Sequence, residues 1–262
     1  MPYYTFNVYS QNKNVLTKQF TTQDCFDVHF LLANNDYEGV DIFCQQKFEE
    51  YSNSKLKLNC LDKFLFLFSQ KIISHNFDIN LSHSTPGAEK KTTVVTSLVK
   101  IYNSISDSKF ILSKKFTEGN VEIEYGIPYS LASKRDYCFY RVNVNGKEYS
   151  ELEQYDTDTM SFLPVKLYRE LIKMQQENNK IIESKYFKSC FLTDLKFSNE
   201  CFLYILNFIY TENVGDYFSL CYSLNKDYGV NYNHIKSITM RELYLLVDTI
   251  NKIVQENNKK NK

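Results

Sequence analysis

The chain has 262 residues, of which 43% are hydrophobic and 24% charged, and its formal net charge is zero. This size and balance predict a folded protein with a real core, in one large domain or two small ones. A zero net charge disfavours a general nucleic-acid binder, because such proteins usually carry a basic surplus that neutralises phosphates.

The first third of the chain predicts one strand and two helices before its most apolar stretch. Alternation in YYTFNV predicts a strand over residues 3–8. A helix capped by Thr21 or Thr22 follows, and a second helix is predicted over residues 37–52. The apolar stripe expected for the first helix is Phe26, Phe30 and Leu31, and that of the second is Val40, Phe43, Cys44 and Phe48.

The stretch LNCLDKFLFLFSQKIIS, residues 58–74, raises the question of a membrane anchor. It is too short and too interrupted by charge to cross a bilayer. We therefore predict a central helix capped at Asn59, with Asp62 suited to the positive end of the helix dipole. Phe64, Leu65 and Phe68 should be buried by the chain itself, whereas exposed Phe66 and Leu67 would mark a docking face.

The middle of the chain changes to β character. We expect an extended segment at 77–82, an exposed polar link at 83–91 and a small antiparallel sheet over 92–152. Within the sheet, Val121, Ile123 and Tyr125 share one face of a strand. Asn145-Gly146 has the two residues that a type I′ hairpin turn needs.

Helical periodicity returns after Pro164. Ser198 is predicted to cap a helix, with Phe197 and Phe202 as its hydrophobic staple. A further helix should end near Gly229. The last helix carries a capping box of Thr239 with Glu242 and an apolar stripe, and we expect a solvated tail from residue 255 onward. That stripe is Leu243, Leu246, Val247, Ile250 and Ile253 or Val254.

Segregated helices and strands predict an α+β fold, with helical N-terminal and C-terminal parts around a small antiparallel β middle region. We divide the chain into residues 1–82, 83–152 and 153–262. The alternative is that the last region forms one compact unit with the first.

Few patterns in the sequence indicate chemistry. The chain lacks the glycine-rich phosphate-binding motifs and the GxSxG and HExxH motifs, and its seven cysteines show no CxxC spacing. We expect the cysteines to be small buried hydrophobic residues of a protein in a reducing compartment. We expect Glu122 and Glu124 to face solvent from one strand. We predict no catalytic, cofactor-binding or metal-binding residue, no cofactor and no small-molecule substrate.

Several stretches together resemble the baseplate hub proteins of T-even-type contractile-tailed bacteriophages. The first is TTQDCFDVHFLLANNDYEGVDIFCQQKFEE followed by LNCLDKFLFLFSQKIISHNFDINL. The second is NVEIEYGIPYSL with the later FLPVKLYREL. The third is LKFSNECFLYILNFIYTENVGDYFSLCYSLNKDYGVNYNHIKSITMRELYLLVDTINK.

The resemblance implies a non-enzymatic role in building or forming the central hub of the tail baseplate. Its implied partners are other phage baseplate or hub proteins, and its implied location is the virion tail after assembly in the host cytoplasm. A virion subunit and an assembly chaperone that leaves are both compatible with it. No membrane partner is expected, and nucleic acid is disfavoured.

Two alternatives come from other classes. A DNA-associated virion protein would bind DNA at low salt. A small intracellular enzyme would need a cleft that brings together two or more of Cys138, His75, His234, Glu122 and Glu124.

Overall fold

The computed structural model describes residues 3–74, 78–83, 92–149, 164–183, 196–210 and 214–260. Within these ranges it contains eight strands and nine helices, so the predicted helix-rich α+β class is confirmed. The strands are β1 (Tyr3–Val8), β2 (Lys13–Lys18), β3 (Asp78–His83), β4 (Thr92–Ser97), β5 (Ser113–Glu118), β6 (Val121–Gly126), β7 (Cys138–Val144) and β8 (Lys147–Tyr149). The helices are α1 (Thr22–Ala33), α2 (Tyr37–Ser52), α3 (Cys60–Ser74), α4 (Leu98–Ser106), α5 (Val165–Ile182), α6 (Asn199–Tyr210), α7 (Val214–Tyr228), α8 (Tyr232–Ser237) and α9 (Met240–Lys260).

The strands form three antiparallel sheets: β1–β2, β3–β4 and β5–β6–β7–β8. The prediction of a single sheet over 92–152 was therefore too broad, because β4 pairs with β3 instead of joining the larger sheet. Helix α4 also interrupts the predicted β region. Leu98, Ile101 and Ile105 lie at helical spacing and are buried, so core packing overrides the local β preference.

The hairpin between β7 and β8 confirms the turn that was predicted from sequence. Asn145 and Gly146 have φ angles of 55° and 80°, which is the left-handed backbone that a type I′ turn requires. On β6 the predicted alternation also holds, since Ile123 and Tyr125 are buried.

Helix α3 lies at the centre of the main core, and its own chain covers it. Phe64, Leu65 and Phe68 are buried as predicted. Phe66 and Leu67 are buried as well, so α3 offers neither of them as a docking face. No helix in the described ranges is both long and apolar enough to cross a membrane, as we expected for this stretch.

The polar residues of α3 are tolerated inside the core because each has a partner. Asn59 caps the helix by accepting a hydrogen bond from the Asp62 N–H at 2.8 Å, and Asp62 in turn accepts one from the Ser10 N–H at 3.0 Å. The Lys63 ammonium pairs with Asp41 at 2.8 Å. The side-chain amide of Gln70 accepts from the Phe20 N–H and donates to the carbonyl of Lys18, the last residue of β2. A buried polar group costs little when its hydrogen bonds are satisfied in this way.

A second, smaller core lies between the four-stranded sheet and α5. Its buried members from the strands are Ile123, Tyr125, Phe139 and Val142, and those from α5 are Leu167, Leu171 and Met174. The buried side chain of Asn178 links α5 to the segment that precedes β5. It accepts a hydrogen bond from the Ile111 N–H and donates one to the Ile111 carbonyl.

Helices α6 and α9 begin where the sequence predicted. The Ser198 hydroxyl accepts from the Cys201 N–H at 3.1 Å, and Phe197 meets Phe202 edge-on at 5.2 Å between ring centroids. Thr239 and Glu242 form the reciprocal capping box of α9. The tail expected from residue 255 is exposed at 255–257, as predicted, and it continues the helix through Lys260.

The assignment of His83 also differs from the prediction. The backbone of His83 ends strand β3, whereas the sequence assigned it to a link. The rest of that link, 84–91, lies outside the described residues. The described cysteines form no disulfide bond. Cys138 is half-buried, and the others are buried as predicted: Cys25, Cys44, Cys60, Cys201 and Cys221.

Candidate protein-docking surface and a neighbouring cleft

Helix α1 presents a different face to the core from the one predicted. Cys25, Val28 and Leu32 are buried, whereas Phe30 is 61% exposed. Both sets of residues have helical spacing, so periodicity alone could not choose between them. The smaller side chains Cys25 and Val28 therefore face the core in place of the larger rings.

Helix α6 packs against α1, and a polar contact also links the two helices. The Nδ1–H of His29 donates to the carbonyl of Tyr210, the last residue of α6. This carbonyl has no partner within its own helix, so His29 satisfies a helix terminus. The expectation that His29 is a packed or edge residue, and not an isolated ligand, fits this position.

The large rings left outside the core of α1 meet those of α7. Phe26 packs edge-on against Phe218 at 4.4 Å between centroids and also contacts Tyr217 at 5.4 Å. Phe30 lies one turn beyond Phe26 on α1, and Tyr222 lies one turn beyond Phe218 on α7. We call these five residues, Phe26, Phe30, Tyr217, Phe218 and Tyr222, the aromatic surface.

The aromatic surface is open to solvent along much of its extent. Phe218 is 49% exposed and Tyr222 is 63% exposed, in addition to the exposed Phe30. The Lys226 ammonium lies 5.4 Å from the centre of the Tyr222 ring and gives the surface a cationic edge. Exposed aromatic side chains on two helices whose rings meet are typical of a protein interface.

A separate open cleft of about 470 Å³ lies between α2 and the loop that enters β7. Its α2 wall includes Glu38, Asp41 and Ile42, and its loop wall carries Lys134 and Arg135. The other lining residues are Pro128, Ser130, Ala132, Ser133, Tyr137, Cys138 and Phe139.

Two buried or half-buried side chains hold the loop wall of the cleft in place. The Asp41 carboxylate accepts from the Leu131 N–H at 2.6 Å while it pairs with Lys63. From the start of α6, the Asn199 amide donates to the carbonyls of Ser130 and Ser133 at 3.3 and 3.0 Å. The Asp41 carboxylate and the Asn199 amide therefore hold the cleft wall in place by hydrogen bonds within the protein.

Apart from Glu122 and Glu124, which share strand β6, the described residues named for an enzyme site lie on different elements. Cys138 lines the cleft, and its thiol donates to the Ile127 carbonyl. Glu122 and Glu124 project from the polar face of β6, where Glu124 lies between Lys115 and Arg141 in the strand register. His234 is exposed on α8, and His75 lies outside the described residues.

Tyr129 lies near both Cys138 and Glu124. Burial raises the pKa of the Tyr129 hydroxyl, and its interactions with Cys138 and Glu124 add to this effect. Burial likewise raises the pKa of Tyr140, whose hydroxyl donates to the Ile127 carbonyl at 2.6 Å. Both phenols stay protonated at neutral pH, so they act as hydrogen-bond donors.

The aromatic surface was not predicted from the sequence, because the helical spacing of Phe26 and Phe30 was interpreted as the core-facing stripe of α1. A signal was available in the tyrosine-rich composition, with 21 Tyr in the chain, because many Tyr in polar surroundings indicate contact surfaces.

We compared the chain with known proteins and found no match. No protein-family model, curated protein or solved structure matches it significantly. Within the described residues, no group of three or more His, Cys, Asp or Glu side chains is arranged to hold a metal ion.

Proposed function

We propose that the protein is a non-enzymatic structural or assembly protein of a phage tail baseplate hub that acts through protein–protein contacts. The aromatic surface carries the contact part of this proposal. A helix pair that turns Phe30, Phe218 and Tyr222 to solvent leaves apolar area that a partner could bury. The resemblance of three stretches of the chain to T-even-type hub proteins supports the hub part.

The expected partner is another baseplate or hub protein with an apolar groove that receives these rings. Buried aromatic anchors contribute most of the binding energy in many interfaces. The cationic edge at Lys226 favours an acidic or carbonyl-rich rim on the partner. The proposal places the protein in the virion tail, after its assembly in the host cytoplasm.

Affinity capture from phage-producing cells tests both parts of the proposal. The tagged protein should retain baseplate proteins, and Phe30→Asp should reduce their retention by about tenfold or more, because it places a charge in the buried contact. Tyr168→Asp is the matched control, since Tyr168 is 58% exposed on α5 and lies beside the second core.

Two results would contradict different parts of the proposal. Capture without any baseplate protein would refute the hub role. Equal capture by wild type and Phe30→Asp would refute the role of the aromatic surface, even if hub proteins are retained.

Mass spectrometry of purified tails separates a subunit from a chaperone. A virion subunit keeps its interfaces buried in the particle, so its peptides should be present. Their absence from tails, together with capture of hub proteins from cells, would favour the chaperone version.

A further inference from the structure

The open cleft between α2 and the loop that enters β7 has a firmly held wall. The Cys60 N–H, at the start of α3, donates to the Pro128 carbonyl at 2.9 Å. Further along the loop, the Gln175 amide of α5 donates to the Asp136 carboxylate at 3.2 Å. Helices α2 and α6 hold the stretch between these two points by side-chain hydrogen bonds. The cleft is therefore formed in the free protein, and a ligand does not have to order it.

Apolar side chains line part of the cleft, from its base to its rim. Pro128 and Phe139 are buried, so they lie at the base. Tyr137 is half-buried, and its ring meets that of Phe139 at 5.8 Å between centroids. Ile42 of α2 is 55% exposed at the rim. An apolar group of a ligand that packs against these side chains would leave water.

The loop wall of the cleft presents hydrogen-bond donors. Lys134 and Arg135 line it as exposed cations. Tyr137 lines the same wall, where burial raises the pKa of its hydroxyl and the nearby Arg135 opposes this only in part. The phenol therefore stays protonated at neutral pH and adds a third donor. An ammonium, a guanidinium and a phenol on one wall suit a carboxylate.

The α2 wall carries the opposite charge. Glu38 lines it and is exposed. The Asp41 carboxylate on the same wall is already bound to the Lys63 ammonium and the Leu131 N–H. A polyanion that filled the cleft would meet Glu38, so a ligand with one carboxylate fits better than a nucleic-acid strand. On the Glu38 side, N–H donors of the ligand are favoured.

We propose that the cleft binds an extended segment of a partner protein that carries an acidic side chain close to an apolar one. The acidic side chain pairs with Lys134 and Arg135, the apolar one packs against Ile42 and Phe139, and backbone N–H groups face Glu38. The volume of about 470 Å³ lies within the usual range of ligand sites. Small-molecule sites bury most of their ligand, whereas this cleft is open and leaves room for a chain to enter and leave.

Selection of a random peptide library, displayed on cells, against the purified full chain tests the inference. The enriched peptides should combine an acidic residue with a nearby apolar one. A synthetic peptide of the enriched sequence should bind Lys134→Glu and Ile42→Asp about tenfold or more weakly than wild type. The first variant reverses a charge on the loop wall, and the second places a charge on the apolar part. Both sites are exposed, so both variants should fold, with circular dichroism as the check.

Lys55→Glu is the matched control, because Lys55 is an exposed lysine outside the cleft. It should leave the affinity for the peptide unchanged. Enrichment of basic peptides, no enrichment at all, or equal binding to Lys134→Glu and wild type would overturn the inference. Phe30→Asp should also bind the peptide normally, since the aromatic surface lies on α1 and α7. The outcome is therefore independent of the proposed hub role.

Discussion

At the scale of single residues, Phe64 shows how strongly the main core depends on one contact between distant parts of the chain. Its ring stacks on Phe202 of α6 at 4.7 Å between centroids, and it also meets Phe68 one turn along α3. Phe64→Ala should lower the free energy of unfolding by about 3–5 kcal/mol, because it removes buried area and leaves a cavity. Urea unfolding measures this loss.

Phe30→Ala provides the comparison for that measurement. It removes the same side chain from an exposed site and should change stability by less than about 0.5 kcal/mol. Similar losses in the two variants would contradict the burial described for α3.

Asp62 should give the protein a measurable dependence on pH. Burial raises the pKa of its carboxyl group, and the hydrogen bonds from Ser10, Asn59 and Tyr9 oppose this only in part. The folded protein therefore holds this proton to a higher pH than the unfolded chain does. The stability that protonation contributes is present below the unfolded pKa and is lost as pH rises through the folded pKa.

Asp62→Asn removes this titration and stays neutral. Its free energy of unfolding should therefore increase relative to wild type as pH rises between about 3 and 7. Chemical unfolding of both proteins at several pH values gives the difference. A difference that is constant across this range would show that Asp62 does not titrate as described.

At the scale of elements, the β7–β8 hairpin depends on the backbone of its turn. Gly146 has a φ of 80°, and a Cβ added there would meet no atom within 4 Å. Gly146→Ala should therefore destabilise the protein by about 1 kcal/mol through backbone strain alone. Asn145→Gly should be tolerated, since glycine adopts the same turn freely. Thermal unfolding compares the two, and an equally stable Gly146→Ala would be inconsistent with this turn.

Elements with strong local signals were predictable from sequence. The caps at Asn59, Ser198 and Thr239 have side chains that satisfy helix N-termini, and these marked α3, α6 and α9 correctly. The Asn145-Gly146 turn was equally direct.

Elements whose form depends on distant neighbours were not predictable. Helix α4 has a β-like composition and becomes helical because Ile101 and Ile105 reach the core. On α1, two apolar faces compete, and the packing of α6 decides that Phe30 stays outside. The docking surface therefore depends on an arrangement of helices that local periodicity does not specify.

At the scale of the whole molecule, the two cores should respond separately to damage. Leu171 is buried in the second core between α5 and the sheet, and it is absent from the main core around α3. Leu171→Ala should cost about 2–5 kcal/mol locally. Hydrogen exchange should then speed up in β6, β7 and α5 while the amides of α3 stay protected. Equal loss of protection in α3 would show that both cores open as one unit.

The enclosure of α3 also has a consequence for synthesis of the chain. The Tyr210 hydroxyl donates to the Leu67 carbonyl across a sequence separation of 143 residues, and Phe202 covers Phe64 from the same helix. At ~5–20 residues per second, roughly 7–30 s pass between the translation of α3 and that of α6. During this interval the buried apolar side chains of α3 lack the helix that covers them. A nascent chain that has not yet reached residue 202 is therefore the form most open to aggregation and to capture by folding helpers at the ribosome.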